Sequence, residues 1–131
     1  MNKNAAIEEK LEIAKKFLDE VIVHFNHEFF ATAINRIYYS CFHATQALLL
    51  TKDIMPKTHK GVLKMLHEHF VRNGAFDKAK ADFYGEMLNE RMESDYGNAL
   101  LFDKSDVEDI MQPTKAYVEY VTKMVQDYLA E

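Results

Sequence analysis

One stretch of the sequence places an arginine, a serine and a histidine at helical spacing. Arg36, Ser40 and His43 step by four and three, so they share one helical face, and Tyr39 lies beside them. An arginine can bind a scissile phosphate and stabilise its developing charge, and a histidine can transfer a proton at the 2′-hydroxyl or the leaving oxygen. This combination is typical of RNA cleavage without metal. The alternative is structural: Arg36 pairs with a carboxylate inside the fold, and His43 is a core histidine.

A second polar group lies later in the chain. Arg91 and Asp95 are four residues apart, and Tyr96 follows directly. At this spacing the two charges could form a weak pair on one helix. On an inward groove they could instead organise a polar site together with Arg36. The spacing alone leaves both interpretations open.

The remaining candidates for chemistry point away from metals and cofactors. Among the six histidines, His24 and His27 are three apart and His67 and His69 are two apart, so neither pair forms the helical zinc motif. The single cysteine, Cys41, lies on an apolar stripe, which indicates a structural thiol. The four glycines are scattered singly and make no phosphate loop. We therefore predict no metal site and no cofactor.

Composition restricts the class of protein further. The chain has 131 residues, 48% of them hydrophobic, which predicts a single domain spanning 1–131 with a core of its own. The net charge of -5 argues against duplex DNA as a partner, but it does not exclude a small local basic site. No apolar stretch approaches about 18 residues, and the N-terminus lacks a signal-peptide core. We expect a cytoplasmic protein without a membrane partner.

The elements that must position these residues are all helical. Apolar residues recur at helical spacing along almost the whole chain, and helix two carries two apolar stripes, which predicts a central position. Pro113 is expected to kink helix five, and Ser105 with Glu108 is expected to form its capping box. Short links predict an all-α, up-and-down antiparallel bundle of about five helices. The predicted helices are Ala5–Phe25, His27–Lys52, Thr58–Arg72, Asp77–Glu93 and a last one from about Ser105.

Three stretches together resemble the HEPN domain family, in its prokaryotic, nucleotidyltransferase-associated form. Residues 35–49 contain the family's Asn-Arg, tyrosine pair and Phe-His, and residues 57–62 lead to a similar segment at 70–74. Residues 91–96 are similar to its Arg-x-x-x-Asp-Tyr element. The resemblance implies an antiparallel bundle like that of nucleotidyltransferase substrate-binding subunits, which often dimerises. It also implies association with a minimal nucleotidyltransferase subunit, frequently as a toxin–antitoxin pair.

Many members of that family are metal-independent ribonucleases, and this sequence departs from their pattern. Their signature is an arginine followed after four to six residues by a histidine near the end of a late helix. Here no histidine follows Arg91 in that window, and Asp95 stands in its place. Aspartate, with a reference pKa of about 3.9, is a poor proton donor near neutral pH. Arg36 and His43 satisfy the spacing on the earlier helix, and the sequence leaves open whether they substitute.

The sequence thus supports three hypotheses about function. In the first, the chain is the helical component of a toxin–antitoxin-like system, and it binds RNA or nucleotide in a groove between helices two and four. In the second, it is a non-catalytic partner that presents a substrate or nucleotide to a separate nucleotidyltransferase. In the third, it is a structural dimerisation module whose polar residues are closed off as internal ion pairs. The first assigns phosphate binding to Arg36 and Arg91, proton transfer to His43, and the shape of the site to Tyr39, Asp95 and Tyr96. A homodimer is predicted in addition.

Overall fold

The computed structural model describes residues 2–95 and 102–131, with residues 92–95 described in their backbone alone. Within these ranges the chain forms five α-helices and no β-strand, as the apolar periodicity predicts. A π-helical turn, His67–Val71, extends the third helix. The helices are α1 (Lys3–Asn26), α2 (Phe30–Leu50), α3 (His59–Leu66), α4 (Lys78–Asp95) and α5 (Lys104–Leu129).

Helix α2 is the centre of the bundle, since it contacts each of the other four helices. Near the start of α1, Lys10 hydrogen-bonds to Gln46 near the end of α2 at 3.2 Å. Near the end of α1, Glu20 lies 3.7 Å from Arg36 near the start of α2. These two helices are therefore antiparallel. The two apolar stripes of α2 explain its position, because each stripe needs a neighbour to bury it.

The start of α3 follows the sequence prediction. The side chain of Thr58 accepts a hydrogen bond from the backbone N–H of Gly61 at 2.9 Å, as expected of an N-cap. The end differs: the α-helix stops at Leu66, and the π-helical turn carries the chain on to Val71, instead of one α-helix reaching Arg72. After this turn Gly74 has a φ of 83°, the left-handed conformation that commonly ends helices at glycine.

Helix α5 begins differently from the prediction. Its N-cap is Asp103, which forms a capping box with Asp106, so the predicted box of Ser105 and Glu108 is wrong. Both pairs fit the three-residue spacing of the motif, and the earlier start lets a carboxylate rather than a hydroxyl accept from the first turn. Pro113 lies inside the helix without breaking it.

The core contains a stack of three tyrosine rings. Tyr38 on α2 stacks on Tyr84 of α4 with centroids 5.9 Å apart, and Tyr84 stacks on Tyr117 of α5 at 5.8 Å. All three side chains are buried, and aliphatic residues such as Ile37 and Val121 surround them. The stack links α4 and α5 to the central helix, so it fixes the rotation of α4 relative to α2. None of the described helices has the length and apolar content of a membrane span.

Candidate functional site

The predicted polar face of α2 lies at the surface of the bundle, with one exception. Arg36, Tyr39 and His43 are half-buried. Ser40 is fully buried, and its hydroxyl donates a hydrogen bond to the carbonyl oxygen of Ala14 at 2.8 Å. Its side chain therefore faces α1 and helps to hold that helix against α2.

Helix α4 brings Arg91 to Tyr39, as the composite site requires. One guanidinium nitrogen of Arg91 donates to the Tyr39 hydroxyl at 3.2 Å. The guanidinium carbon lies 5.6 Å from the centre of the Tyr39 ring and 5.7 Å from that of Tyr38, within cation–π distance. Arg91 is thus held against two aromatic rings, with its guanidinium beside the half-buried Tyr39.

Helix α1 supplies a residue that sequence analysis missed. The ring of Phe17 stacks on His43 with centroids 5.5 Å apart and planes 5° from parallel, and it lies 6.0 Å from Tyr39. The guanidinium carbon of Arg36 lies 5.6 Å from the same ring. Phe17 therefore connects Arg36 to the other site residues. The sequence signal that could have identified Phe17 is that it is an aromatic residue outside the apolar stripe of α1.

Arg36 has a carboxylate neighbour on α1, at the partly exposed contact between α1 and α2. Its Nε atom lies 3.7 Å from a carboxylate oxygen of Glu20, and an outer nitrogen donates to Asn35 at 2.6 Å. The Nε atom is buried and has no hydrogen-bond partner among the described residues. The ion pair anticipated by the structural alternative is present, so part of the arginine's charge is already balanced. Arg91 is the arginine in direct contact with Tyr39.

His43 is a half-buried histidine of the same face. Its Nδ1 atom is buried without a hydrogen-bond partner in the described part of the chain. Burial lowers the pKa of His43; the charges of Lys10 and His59 act in the same direction, and a hydrogen bond with Gln46 opposes them. The neutral form of the ring, which is the form able to accept a proton, is therefore favoured.

A second histidine, also missed by sequence analysis, reaches the same rings from α3. The Nδ1 atom of His59 lies 2.7 Å from the Tyr38 hydroxyl, and its ring is 4.5 Å from that of Phe42 and 5.8 Å from that of Tyr39. Burial raises the pKa of Tyr38, so its hydroxyl stays protonated and can donate to His59. Thr58 fixes where α3 begins, and this brings His59 against α2.

We call this group the arginine–aromatic cluster; its members are Phe17, Tyr39, His43, His59 and Arg91. It contains two predicted binding residues and one predicted catalytic residue, with Arg36 at its edge. The predicted contributions of the Asp95 side chain and of Tyr96 lie outside the described residues.

The chemistry available to the cluster is acid–base and electrostatic. Among the described residues no group of three or more His, Cys, Asp or Glu side chains could hold a metal ion. Cys41 is fully buried, and burial raises the pKa of its thiol, so it is not a thiolate nucleophile. What the cluster offers is a cation for phosphate, rings for stacking, and imidazoles for proton transfer.

A cavity between α2, α4 and α5 is a different site. Its volume is about 370 Å³, and it is lined by carboxylates and apolar side chains: Ile34, Glu86, Met87, Glu90, Asp106, Asp109 and Ile110. Its negative charge repels phosphate. The arginine–aromatic cluster shares none of these lining residues, so it is a separate part of the contact between α2 and α4.

Comparison with known proteins agrees with this architecture. Residues 7–125 match the HEPN domain family. The chain is 32% identical to a UPF0332 protein of Thermotoga maritima, over 87% of this chain and 86% of that protein. It is 34% identical to "Putative toxin MJ0142" of Methanocaldococcus jannaschii over 89% of this chain and 80% of that protein, and 30% identical to "Putative toxin MJ0605" of the same organism over 94% and 91%. The chain belongs to the HEPN domain family.

Proposed function

We propose that this HEPN domain binds RNA or nucleotide at the arginine–aromatic cluster. The observation that carries the proposal is the contact between Arg91 and Tyr39, which places a guanidinium on the face and hydroxyl of a half-buried ring. A guanidinium can pair with phosphate, and an aromatic ring can stack with any base. Phe17 and His43 extend the ring surface on the side of α1.

Binding is tested by fluorescence anisotropy with a labelled single-stranded RNA and a labelled mononucleotide. Because Arg91 would make a charge-assisted hydrogen bond, Arg91→Ala is expected to weaken the binding of both ligands by about ten- to hundredfold. Lys115→Ala, on α5, is the control for removal of a surface cation and should leave affinity unchanged. Equal affinities of wild type and Arg91→Ala would contradict the proposal.

Cleavage of RNA is the finer part of the proposal. His43 would accept the proton of the 2′-hydroxyl, and Arg91 would stabilise the phosphate as charge develops, without metal. Cleavage should therefore persist in a chelator, and His43→Ala should reduce its rate by about 10²- to 10⁴-fold. Cys41→Ala is the control and should change stability alone. Cleavage that survives His43→Ala but not Asp95→Ala would move the proton transfer to α4.

A second candidate function is supported by the pairing of Arg36 with Glu20 and by the aspartate at position 95. In that case the domain binds nucleotide without cleaving it and presents it to a separate nucleotidyltransferase. Binding without cleavage across single-stranded and structured RNAs would favour this function over the ribonuclease.

The biological setting proposed is a toxin–antitoxin-like pair in which this chain is the helical component. Two relatives carry the name "Putative toxin", which supports it. The partner would be a minimal nucleotidyltransferase, and co-elution of the two purified proteins is the test.

The chain would also form a homodimer, since Ile22, Val23 and Phe29 are about half exposed near the end of α1. Sedimentation over a tenfold concentration range measures that association.

A further inference from the structure

Positive charge is concentrated in one segment of this acidic protein. The whole chain has 16 Lys and Arg against 21 Asp and Glu, but residues 52–72 have five against two. The same segment holds three of the six histidines. It comprises the end of the α2–α3 connection, α3 and the π-helical turn. Nucleic acid would therefore be attracted to this segment and repelled by most of the remaining surface.

Besides Lys52, which donates a hydrogen bond to the carbonyl oxygen of His69, three lysines of this segment are exposed to solvent. Lys60 and Lys64 are four residues apart on α3, opposite the buried side chains Val62 and Leu66, and Lys57 lies just before the N-cap. We call these three residues the basic face of α3. Since all three are exposed, their ammonium groups are accessible to a ligand.

Nearby carboxylates neutralise little of this charge. Lys57 and Lys60 have no ion-pair partner in the described ranges. Lys64 lies 3.9 Å from Glu68, yet its side chain is 70% exposed, so the pair is weak. Asp53 is engaged by Lys3 of α1 at 3.2 Å. The basic face of α3 is therefore a local positive potential with two uncompensated lysines.

His59 joins this face to the arginine–aromatic cluster. It stands directly before Lys60 in the chain, and its ring contacts those of Tyr38, Tyr39 and Phe42. A chain of nucleotides could therefore stack a base against the cluster while its neighbouring phosphates meet the lysines. A single nucleotide would occupy the cluster alone.

We infer that the basic face of α3 binds the phosphodiester backbone of single-stranded RNA, so that the ligand of this domain is an oligonucleotide rather than a mononucleotide. The inference rests on the proposed function and extends it. Single-stranded RNA fits better than an acidic protein, because Lys60 directly follows His59, whose ring contacts the half-buried rings of Tyr39 and Phe42. Stacking platforms beside a positive surface are the usual means of binding single strands.

The experiment compares two double variants with equal change in charge. Lys57→Glu with Lys60→Glu reverses the uncompensated lysines, and acidic residues near the start of a helix are tolerated by its dipole. The control reverses two exposed lysines of α5, Lys115 and Lys123. Anisotropy is measured with a labelled twelve-nucleotide RNA (a length of about 12, within the range of single-strand sites) and with a labelled mononucleotide.

We expect the α3 variant to bind the RNA at least about tenfold more weakly at about 50 mM salt, with a salt dependence shallower by roughly 0.7 to 1.4 in log–log slope. Its affinity for the mononucleotide should change by less than about twofold, because that ligand does not reach the lysines. The α5 control should bind both ligands within about twofold of wild type.

Each contrary result has a distinct meaning. Equal RNA affinity of the α3 and α5 variants, with binding still lost in Arg91→Ala, would overturn this inference and leave the proposed function standing. Displacement of RNA by poly-glutamate of matched charge would also overturn it, since the face would then recognise charge alone. If wild type bound neither RNA nor mononucleotide, the proposed function and this inference would both fail.

Discussion

Two neighbouring tyrosines on α2 show how differently its two faces are built. Tyr38 is fully buried and stacks within the core, with its hydroxyl 2.7 Å from His59. Tyr39 is half-buried and contacts Phe17, His43 and Arg91. The same side chain, one position apart along the helix, is thus a core residue in one case and a site residue in the other.

The core face of α2 satisfies its polar groups internally. The Thr45 hydroxyl donates to the carbonyl oxygen of Cys41 at 2.7 Å, so Tyr117, 2.6 Å away, must be the donor to Thr45. The hydroxyl of Tyr84 is an exception, since it is buried without a hydrogen-bond partner among the described residues. Apart from that group, this face contributes to stability and offers nothing to a ligand.

The face of α2 that carries Arg36, Tyr39 and His43 differs, because two of its buried nitrogen atoms are not hydrogen-bonded within the described residues. The Nδ1 atom of His43 and the Nε atom of Arg36 are buried without hydrogen-bond partners in the described part of the chain. Leaving a buried polar atom unpaired costs about 1–3 kcal/mol. The two faces of α2 therefore differ in how completely the described residues satisfy their buried polar atoms.

The largest expected difference separates the two tyrosines themselves. Tyr38→Ala should lower the free energy of unfolding by about 3–5 kcal/mol, since it empties a core position. Tyr39→Ala should cost much less stability but about 1–3 kcal/mol of RNA binding, through lost stacking. Urea denaturation and anisotropy measure the two quantities. Equal losses of stability would mean that the two faces do not differ as described.

A smaller effect is expected from one hydroxyl of the core. Tyr117→Phe removes the hydrogen bond to Thr45 but leaves the bond from Thr45 to Cys41, so no donor loses its partner. The free energy of unfolding should fall by about 0.5–1.5 kcal/mol. RNA affinity should not change, because Tyr117 is fully buried on the other side of α2. A loss of affinity in this variant would show that the core face takes part in binding.

The smallest effect concerns the pH dependence of stability. Because burial lowers the pKa of His43, with Lys10 and His59 acting in the same direction, the folded chain takes up its proton at lower pH than the unfolded chain does. The stability that neutral His43 contributes is present above the unfolded pKa of about 6.5 and is lost as the pH falls below it.

Replacement by a neutral residue should remove that loss. In His43→Gln, the free energy of unfolding should decrease less between about pH 7.5 and pH 5.5 than in wild type. Urea denaturation at several pH values is the measurement. The same pH dependence in variant and wild type would show that His43 titrates alike in the folded and unfolded chains.

The sequence predicted those parts of the site that depend on helical periodicity. Arg36, Tyr39 and His43 share a face because their spacing dictates it, and the likeness to the HEPN family directed attention to Arg91. The same spacing does not show that Ser40 is buried, because contact with α1 decides which side chains of this face are covered.

Phe17 and His59 could not be predicted in the same way. Each comes from another helix, and its position against α2 depends on how that helix is rotated. Rotation is set by packing between residues far apart in sequence, such as the stack of Tyr38 on Tyr84. The predicted capping box of α5 was wrong for a local reason. Asp103 and Ser105 can both serve as an N-cap, and each has an acidic residue three positions later.

The most direct test of the account is a map of the RNA-binding surface by NMR chemical-shift changes during titration with a short single-stranded RNA. The account predicts that the largest changes occur at Phe17, Tyr39, His43, His59 and Arg91. Signals from Ile37 and Val121 in the core should move little. Changes confined to the acidic cavity around Glu86 and Asp109, or to the groove between α1 and α5 around Leu18 and Met111, would contradict it.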